Sequence, residues 1–440
     1  MADREQINQN KADIAGLVEG MTDLAPAILN TASGSVITAD DAAEGRPFRG
    51  LRVFGKSTQD GTPSVENPVP IVNAGESGNI TVEVGGKNLL TGRLYFTNYS
   101  NDIPYVRNEN EVTLPYAPSI ESFGIGYVVP CKPGVQYTFS VTNPNKNWYL
   151  GIAEYENFEQ AKSILNKIGY QWGSEKSSIK YTAVRNGVLV CAIAGKWTDG
   201  KTTIHECTES ELLQLEIGSE ATTYEPYRTP QILTLQTPNG LPGVPVTKDG
   251  NYTDQNGQQW VCDEIDLERG KYVQRVAIEK NNGGWELKPS SDTPGRFFQH
   301  NKLTNIFSIA LKKSLCNIAS FTSWGAPVND KYAFALNGHG IYFSPPKGAE
   351  ITAEELNAKL NSLSFPVVVV GELATPIERD LTPEEIAAYK ALRTYGPTTV
   401  ITNDAGAGME VTYVADTKAY IDKKFKELNQ AIVNTQIALL

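Results

Sequence analysis

Short apolar segments separated by turn-forming residues run through most of the chain and constrain its fold more than any other feature. Segments such as QYTFSV, WYLGIAEY and LVCAIAG read at a period of about two, which is typical of half-buried strands. Clusters rich in Asn, Gly and Pro, among them NPNKN and RNG, lie between the segments and favour turns. The best apolar stretch, Phe365 to Val370, has the length of a strand. The sequence therefore predicts a mainly β protein.

A chain of 440 residues is long enough for two to four domains. Its strand patterns and Pro-rich or Gly-rich connections change several times, which indicates a string of modules. We place a helical, coiled-coil-like segment at 1–30, a β attachment module at 31–84, a jelly-roll β-sandwich at 85–228, a small hairpin module at 229–284, a mixed α/β module at 285–380, and a C-terminal helix, hairpin and coiled-coil-like helix at 381–440.

Local signals predict one hairpin and three short helices within these modules. Asn256-Gly257 lies between two alternating runs and predicts a hairpin turn. The segment FEQAKSILNKIG predicts a helix that interrupts the sandwich. Thr352 with Glu355, and Thr382 with Glu385, have the spacing of a capping box, in which side chain and backbone cap each other at the start of a helix.

Apolar residues recur at spacings of three and four near both ends. The two runs are Ile7, Asn10, Ile14, Leu17, Met21, Leu24 and Ile28, and then Val414, Ile421, Phe425, Leu428, Ile432, Thr435 and Leu439. Because each run covers only about three heptads, two interpretations stay open: helices that pack on their own domains, or coiled coils. The second predicts a parallel homo-oligomer, for which we favour a trimer while a dimer stays open, held by Ile7, Ile14, Leu17, Met21, Leu24, Ile421, Phe425, Leu428 and Ile432.

Charge and composition argue against several classes of partner. The 39 basic and 50 acidic residues give a net charge of −11 without a Lys/Arg cluster, so we expect no nucleic-acid partner. No apolar run approaches the ~20 residues of a membrane-spanning helix, and the polar N-terminus lacks a signal core, so we expect assembly in a cytoplasm. Five widely spaced cysteines and His205 beside Cys207 are too sparse for a disulfide framework or a metal site. We expect no cofactor.

Longer stretches resemble a known group of proteins. EGRPFRGLRVFGKSTQDGTPSVENPVPIVNAG, GKNLL, LQLEIGSEATTYEPY, LPGVPVTKDGNYTDQNGQQWVCDEIDLERGKYVQRV and ELATPIERDLTPEEIAAYKALRTYGPTTVITNDAGAGMEVTYVADTKAYIDKKF are similar to modules of minor tail, baseplate and fibre proteins of siphophage-type bacteriophages that infect Gram-positive, Clostridia-like bacteria. The segment from GKNLL to ATTYEPY resembles jelly-roll carbohydrate-binding modules. The resemblance implies a homotrimeric receptor-binding protein of the virion tail, whose partners are other tail proteins and host cell-surface polysaccharide. A phage-derived bacteriocin particle could use the same modules.

Two kinds of chemistry are open to such a protein: hydrolysis and binding of glycans. Hydrolysis needs two carboxylates about 5–10 Å apart, and we interpret Asp263, Glu264 and Asp266 as solvated charges at a strand edge rather than as such a pair. The sequence contains no G-x-S-x-G, H-E-x-x-H or P-loop motif. We therefore expect no enzyme, with a tail-borne glycan depolymerase as the alternative.

Binding needs exposed aromatic rings, on which the apolar faces of sugars stack, with polar groups nearby. Trp172 and Trp197 are flanked by turn residues and are the best candidates for exposed platforms. The other candidates are Trp148, Tyr149, Tyr170 and Trp324, although several of these aromatic residues could instead fill a core. Trp260 lies inside a hairpin strand, where we expect a core residue.

Overall fold

The computed structural model is mainly β, with 51% strand and 8% helix. It describes residues 27–32, 36–90, 94–97, 106–108, 111–113, 124–142, 148–163, 167–174, 177–195, 197–198, 201–202, 213–254, 256–281, 285–288, 297–300, 314–321, 331–337, 340–346, 348–349, 351–363 and 365–416. The chain divides into two compact units. The second unit consists of 85–231 with 398–400, and the first unit contains the rest.

The strands and helices follow one another as short elements. Up to Ser163 they are β1 (Ala27–Ala32), β2 (Val36–Ala39), β3 (Gly50–Phe54), β4 (Ser57–Thr58), β5 (Val72–Asn73), β6 (Asn79–Gly86), β7 (Leu94–Thr97), β8 (Val106–Asn108), β9 (Glu111–Thr113), β10 (Gly124–Cys131), β11 (Gln136–Val141), β12 (Trp148–Tyr155) and α1 (Phe158–Ser163).

The next elements complete the second unit and return to the first. They are β13 (Gly169–Ser174), β14 (Ser178–Thr182), β15 (Gly187–Gly195), β16 (Trp197–Thr198), β17 (Lys201–Thr202), β18 (Leu213–Ile217), β19 (Gln231–Gln236), β20 (Gly243–Val246), β21 (Tyr252–Thr253), β22 (Gln259–Cys262), β23 (Glu264–Asp266) and β24 (Lys271–Asn281).

The remaining elements belong to the first unit. They are β25 (Trp285–Lys288), β26 (Phe297–His300), β27 (Leu315–Cys316), β28 (Ser320–Phe321), β29 (Ala333–Asn337), β30 (Gly340–Ser344), α2 (Ala353–Asn361), β31 (Val367–Asp380), α3 (Pro383–Ala391), β32 (Thr399–Asn403) and β33 (Gly408–Val414).

The main core of the first unit lies between two sheets. One sheet has the order β1-β33-β3-β23-β24-β31-β27, and the other has the order β19-β6-β32-β2. Alternate residues of the first sheet, such as Val53, Ile265 and Val411, share a buried cluster with Val82 and Leu235 of the second sheet. This period-two burial is what the alternating sequence predicts for strands with one face on a core.

Both predicted capping boxes are confirmed, and they begin the two helices of the first unit. The hydroxyl of Thr352 accepts from the Glu355 amide at the start of α2, and the hydroxyl of Thr382 accepts from the Glu385 amide at the start of α3. α3 adds Tyr389 to the main core. α2 belongs to a separate cluster with the sheet β25-β26-β30-β29-β28.

The second unit is a sandwich of two antiparallel sheets. The larger sheet has the order β13-β12-β15-β10-β7, and the smaller one has the order β14-β11-β18. Their facing side chains, including Phe139, Ile152, Leu189 and Leu215, form one buried cluster. α1, inside the segment predicted to be helical, packs through Ala161 on the opposite face of the larger sheet. That face positions the candidate site.

The expected coiled-coil ends are not supported. The heptad positions proposed to join identical copies, from Ile7 to Leu24 and from Ile421 to Ile432, lie outside the described residues. The inner ends of the two runs are strands instead, because Ile28 lies in β1 and pairs with Tyr413 of β33, next to Val414. Both strands therefore belong to the large sheet of the first unit.

The hairpin predicted at Asn256-Gly257 is present. β21 and β22 pair antiparallel, with Thr253 opposite Gln259, so the connection is longer than a two-residue turn. Gly257 has a φ of 75°, a left-handed conformation that glycine adopts without strain. Trp260 of this hairpin is half-buried and packs against Phe54, Tyr252 and Cys262, as expected for a core position.

Candidate functional site

Two aromatic side chains stand on the edge strand of the larger sheet in the second unit. Tyr170 is 63% exposed and Trp172 is 39% exposed, although both are large and lie in a regular strand. They are two residues apart in β13, and side chains at that spacing point to the same face of a sheet. Exposed apolar rings that lie side by side are characteristic of binding surfaces.

Small residues on the neighbouring strand form the floor beneath the two rings. In the register between β12 and β13, Tyr170 lies opposite Ala153 and Trp172 lies opposite Gly151. The six-membered ring of Trp172 rests against Gly151, and a Cβ atom at this position would overlap the ring. The ring therefore lies low over the strand because Gly151 has no side chain. We call Tyr170, Trp172, Gly151 and Ala153 the aromatic face.

A cation lies beside the aromatic face. The Nζ atom of Lys167 is 5.5 Å from the centre of the Tyr170 ring, a distance at which the ring quadrupole attracts an ammonium group. Lys167 is exposed, so its three N–H donors also face solvent. The face thus combines two flat apolar surfaces with a hydrogen-bond donor at one end.

A buried carboxylate ties β12, the strand next to the rings, to β14 and the residues that follow it. Glu154 is fully buried, pairs with Gly169 at the start of β13, and accepts hydrogen bonds from the Tyr181 hydroxyl (2.8 Å) and from the Val184 and Arg185 amides. Burial, together with this bond to a carboxylate, raises the pKa of Tyr181, which stays protonated and donates. Because several donors satisfy Glu154, we assign it a structural role.

The structure brings together Tyr170 and Trp172 and leaves the other predicted aromatic residues unassigned. Trp148 and Tyr149 begin β12, where they lie opposite Gly195 and Ala194 of β15, and their side chains lie outside the described part. Trp197 lies in β16 opposite Thr202, and its side chain is likewise not described. Trp324 falls outside the described residues.

The sequence did not indicate the roles of Gly151, Lys167 and Glu154. A signal for Gly151 was available, since an isolated glycine within a strand pattern often marks a close approach of another group. Glu154 carries no such signal, because its contacts depend on which strands become neighbours. Lys167 is only three residues before Tyr170, but no motif marks it.

The interpretation of Asp263, Glu264 and Asp266 as solvated edge charges is wrong. Their side chains are buried, at 1%, 1% and 6% exposure respectively. They lie next to or within β23, an inner strand of the large sheet, so neighbouring strands cover them. Charges buried this deeply need partners, and each has them.

Asp263 and Glu264 have separate sets of partners. Asp263 accepts from the Tyr272 hydroxyl at 2.7 Å and from the backbone amides of Arg275 and Val276 at 2.8 and 2.9 Å. Burial raises the pKa of Asp263 to about 7 even though these donors favour the charged form. Glu264 instead pairs with two guanidinium groups, those of Arg52 at 2.5 Å and Arg275 at 2.8 Å.

The described part of the chain contains no cluster of His, Cys, Asp and Glu that could hold a metal ion. Among its helices, none is long and apolar enough to cross a membrane. No family model, no curated protein and no solved structure matches the chain.

Proposed function

We propose that this chain is a bacteriophage tail protein that adheres to host cell-surface glycan through the aromatic face of its second unit. In this proposal the second unit is a jelly-roll carbohydrate-binding module. The chain joins other tail or baseplate proteins on a virion assembled in the host cytoplasm, and it carries no catalytic site. The resemblance of its longer segments to tail proteins supports the setting, and the exposure of Tyr170 and Trp172 supports the chemistry.

The observation that carries the proposal is the position of Trp172 over Gly151. A flat ring that lies over the strand and is 39% exposed suits the apolar C–H face of a pyranose. Tyr170 extends the surface along the strand, and Lys167 supplies donors for sugar hydroxyls or acidic groups. Because β13 is paired with β12 from Gly169 to Ser174, the face needs little ordering when it binds.

A face of this size is a weak site when it acts alone. Shallow sugar sites commonly have Kd values of about 1 mM, or about −4 kcal/mol. Linking several copies raises avidity by about 10²–10⁴ if all can engage together. The proposal therefore includes a homo-oligomer, for which we favour a trimer, and assigns the joining role to the heptad positions near the two ends.

Adsorption to host cells tests the proposal. We expect Trp172→Ala and Tyr170→Ala to remove most adsorption of the purified full-length chain while its melting temperature changes little, because exposed rings contribute little to stability. Phe365→Ala is the matched control, since this ring is exposed to a similar degree, 36%, and lies in the first unit. The control should adsorb like the unmodified chain.

Two results would count against the proposal. If the Trp172→Ala and Tyr170→Ala variants both adsorb normally, the aromatic face is not the adhesive site. If the chain releases new reducing ends from host wall polysaccharide, the tail-borne depolymerase becomes the better description.

A further inference from the structure

A long groove in the first unit is separate from the aromatic face. It has a volume of about 740 Å³ and is lined along one side by Tyr272, Gln274, Val276, Ile278 and Lys280 of β24. These are alternate residues of one strand, so the groove runs along a face of the sheet rather than along its edge. We call it the β24 groove.

The dimensions of the β24 groove fit one extended chain. At roughly 3.3 Å per residue, the stretch from Tyr272 to Lys280 is about 26 Å long, the length of about five sugar units. The volume of about 740 Å³ spread over this length gives a mean cross-section of about 28 Å², which leaves room for a single chain. A compact ligand would fill only part of it.

The lining offers hydrogen-bonding groups at intervals. Gln274, Gln236 and Asn239 contribute side-chain amides to the lining, and Glu76 contributes a carboxylate. Amides both donate and accept, which suits hydroxyl groups of unknown orientation. Ile278 and other apolar residues between the polar groups provide surfaces for the C–H faces of sugars.

One end of the groove is held rigidly. The Tyr272 hydroxyl donates to Asp263, which two backbone amides also hold, so the tyrosine ring cannot rotate freely. The guanidinium carbon of Arg379 lies 4.1 Å from the centre of the same ring. Arg379 is exposed, and its planar group presents donors at the mouth of the groove. Lys280, which is also exposed, gives the other end a positive charge.

The placement of the groove favours a glycan over a peptide. Extended peptides usually bind sheets by pairing their main chain with an edge strand. The β24 groove presents side chains from one face of β24. The backbone of β24 pairs with β31 on both sides of a register shift between Gln274 and Val276, and the Arg275 and Val276 amides at this shift donate to Asp263. Recognition there depends on side-chain amides and charges, which is how proteins bind the hydroxyl groups of sugars.

We propose that the β24 groove binds a linear glycan of about five sugar units, independently of the aromatic face. The two sites would then bind a surface polysaccharide in different ways. The aromatic face stacks on single sugars, whereas the groove takes a stretch of chain.

The test uses the full-length chain with Tyr170→Ala and Trp172→Ala, which removes the aromatic face. The probe is an array of neutral and anionic linear glycans of two to eight sugar units. We expect binding that strengthens with glycan length up to about five units and then levels off. Adding Gln274→Trp should block the groove and lower this binding at least tenfold.

Gln160→Trp is the matched control, because this half-buried glutamine lies on α1, outside the groove. It should leave binding unchanged. If the Gln274→Trp chain fails to fold, the exposed pair Asn239→Ala and Lys280→Ala replaces it, with the same loss expected.

The inference is overturned if the chain without the aromatic face binds no glycan on the array. It is also overturned if binding stops strengthening at two units, or if the groove variants bind as well as the control. These outcomes are distinct from those that test the proposed function, which fails if removing Tyr170 and Trp172 leaves adsorption to cells intact or if the chain releases new reducing ends from wall polysaccharide.

Discussion

The buried carboxylate of Asp263 should make the stability of the first unit fall as the pH rises from about 4 to about 7. Burial raises the pKa of Asp263 from 3.8 to about 7. Between these values the folded chain holds a proton that the unfolded chain has released. Deprotonation therefore favours unfolding throughout this window, and the stability that the protonated form contributes below pH 4 is lost as the pH passes the folded pKa.

The size of the effect follows from the two pKa values. One unit of difference corresponds to about 1.4 kcal/mol, so the free energy of unfolding should fall by about 1.4 kcal/mol per pH unit across the window. From 3.8 to about 7 the total is about 4 kcal/mol. Above pH 7 both states are charged at this position and the contribution becomes constant.

Urea unfolding of the native chain and of Asp263→Asn, measured from pH 4 to pH 8, isolates this contribution. Asparagine keeps the shape of the side chain, and its carbonyl oxygen can still accept from the Arg275 and Val276 amides. Subtracting the free energies of unfolding of the two chains at each pH cancels the contributions of titrating groups that both chains share, including the three histidines. We expect the free energy of unfolding of the native chain to fall relative to that of Asp263→Asn as the pH rises from 4 to 7. If the difference between the two free energies does not change with pH, or if the native chain becomes relatively more stable, the reasoning is refuted.

Three further changes have expected results of different kinds. Gly151→Ala should push the Trp172 ring off its floor and weaken glycan binding about tenfold, a loss of about 1.4 kcal/mol, in a direct titration with host glycan; unchanged affinity would mean that the ring binds without this floor. Glu264→Ala should lower the free energy of unfolding by about 1.5–3 kcal/mol in urea, because the partly exposed guanidinium groups of Arg52 and Arg275 lose a hydrogen-bonded partner while Arg52 keeps Glu410. Glu378→Ala, which breaks an exposed pair, is the control and should change little; equal effects would contradict this account. Thr382→Ala should cost about 1 kcal/mol in the same assay by removing the cap of α3, and no cost would show that the cap is dispensable.

Local features of the fold could be predicted from the sequence, because their causes lie within a few residues. The caps at Thr352 and Thr382 depend on a side chain and an amide three positions later, and both form as predicted. The turn at Gly257 depends on glycine's access to a positive φ. Period-two burial along the strands likewise follows from the order of residues.

Strand pairing over long distances could not be predicted from the same patterns. β3, β23, β24, β31 and β33 lie far apart in the chain yet form one sheet. Asp263 and Glu264 looked solvated because nothing local shows that β3 and β24 flank β23 on both sides. Ile28 fitted a heptad because period-four spacing also occurs in strands, and its pairing with β33 decides the outcome.

Some features of the candidate site could be predicted from the sequence, and others depend on strand pairing. Trp172 could be selected as an exposed ring because turn residues flank it, and it is exposed. That Tyr170 shares its face follows from their spacing once β13 is known to be a strand. The floor at Gly151 requires the register between β12 and β13, and the bonds of Glu154 require that β12 lies near β14, which only the structure supplies.

Fluorine NMR of the full-length chain labelled with 5-fluorotryptophan tests the central claim most directly. The chain has six tryptophans, and Trp172→Phe identifies the signal of Trp172. Titration with host cell-surface glycan should shift the Trp172 signal in a saturable manner and leave that of the buried Trp285 unchanged. A Trp172 signal that does not move at glycan concentrations that block adsorption to cells would contradict the account.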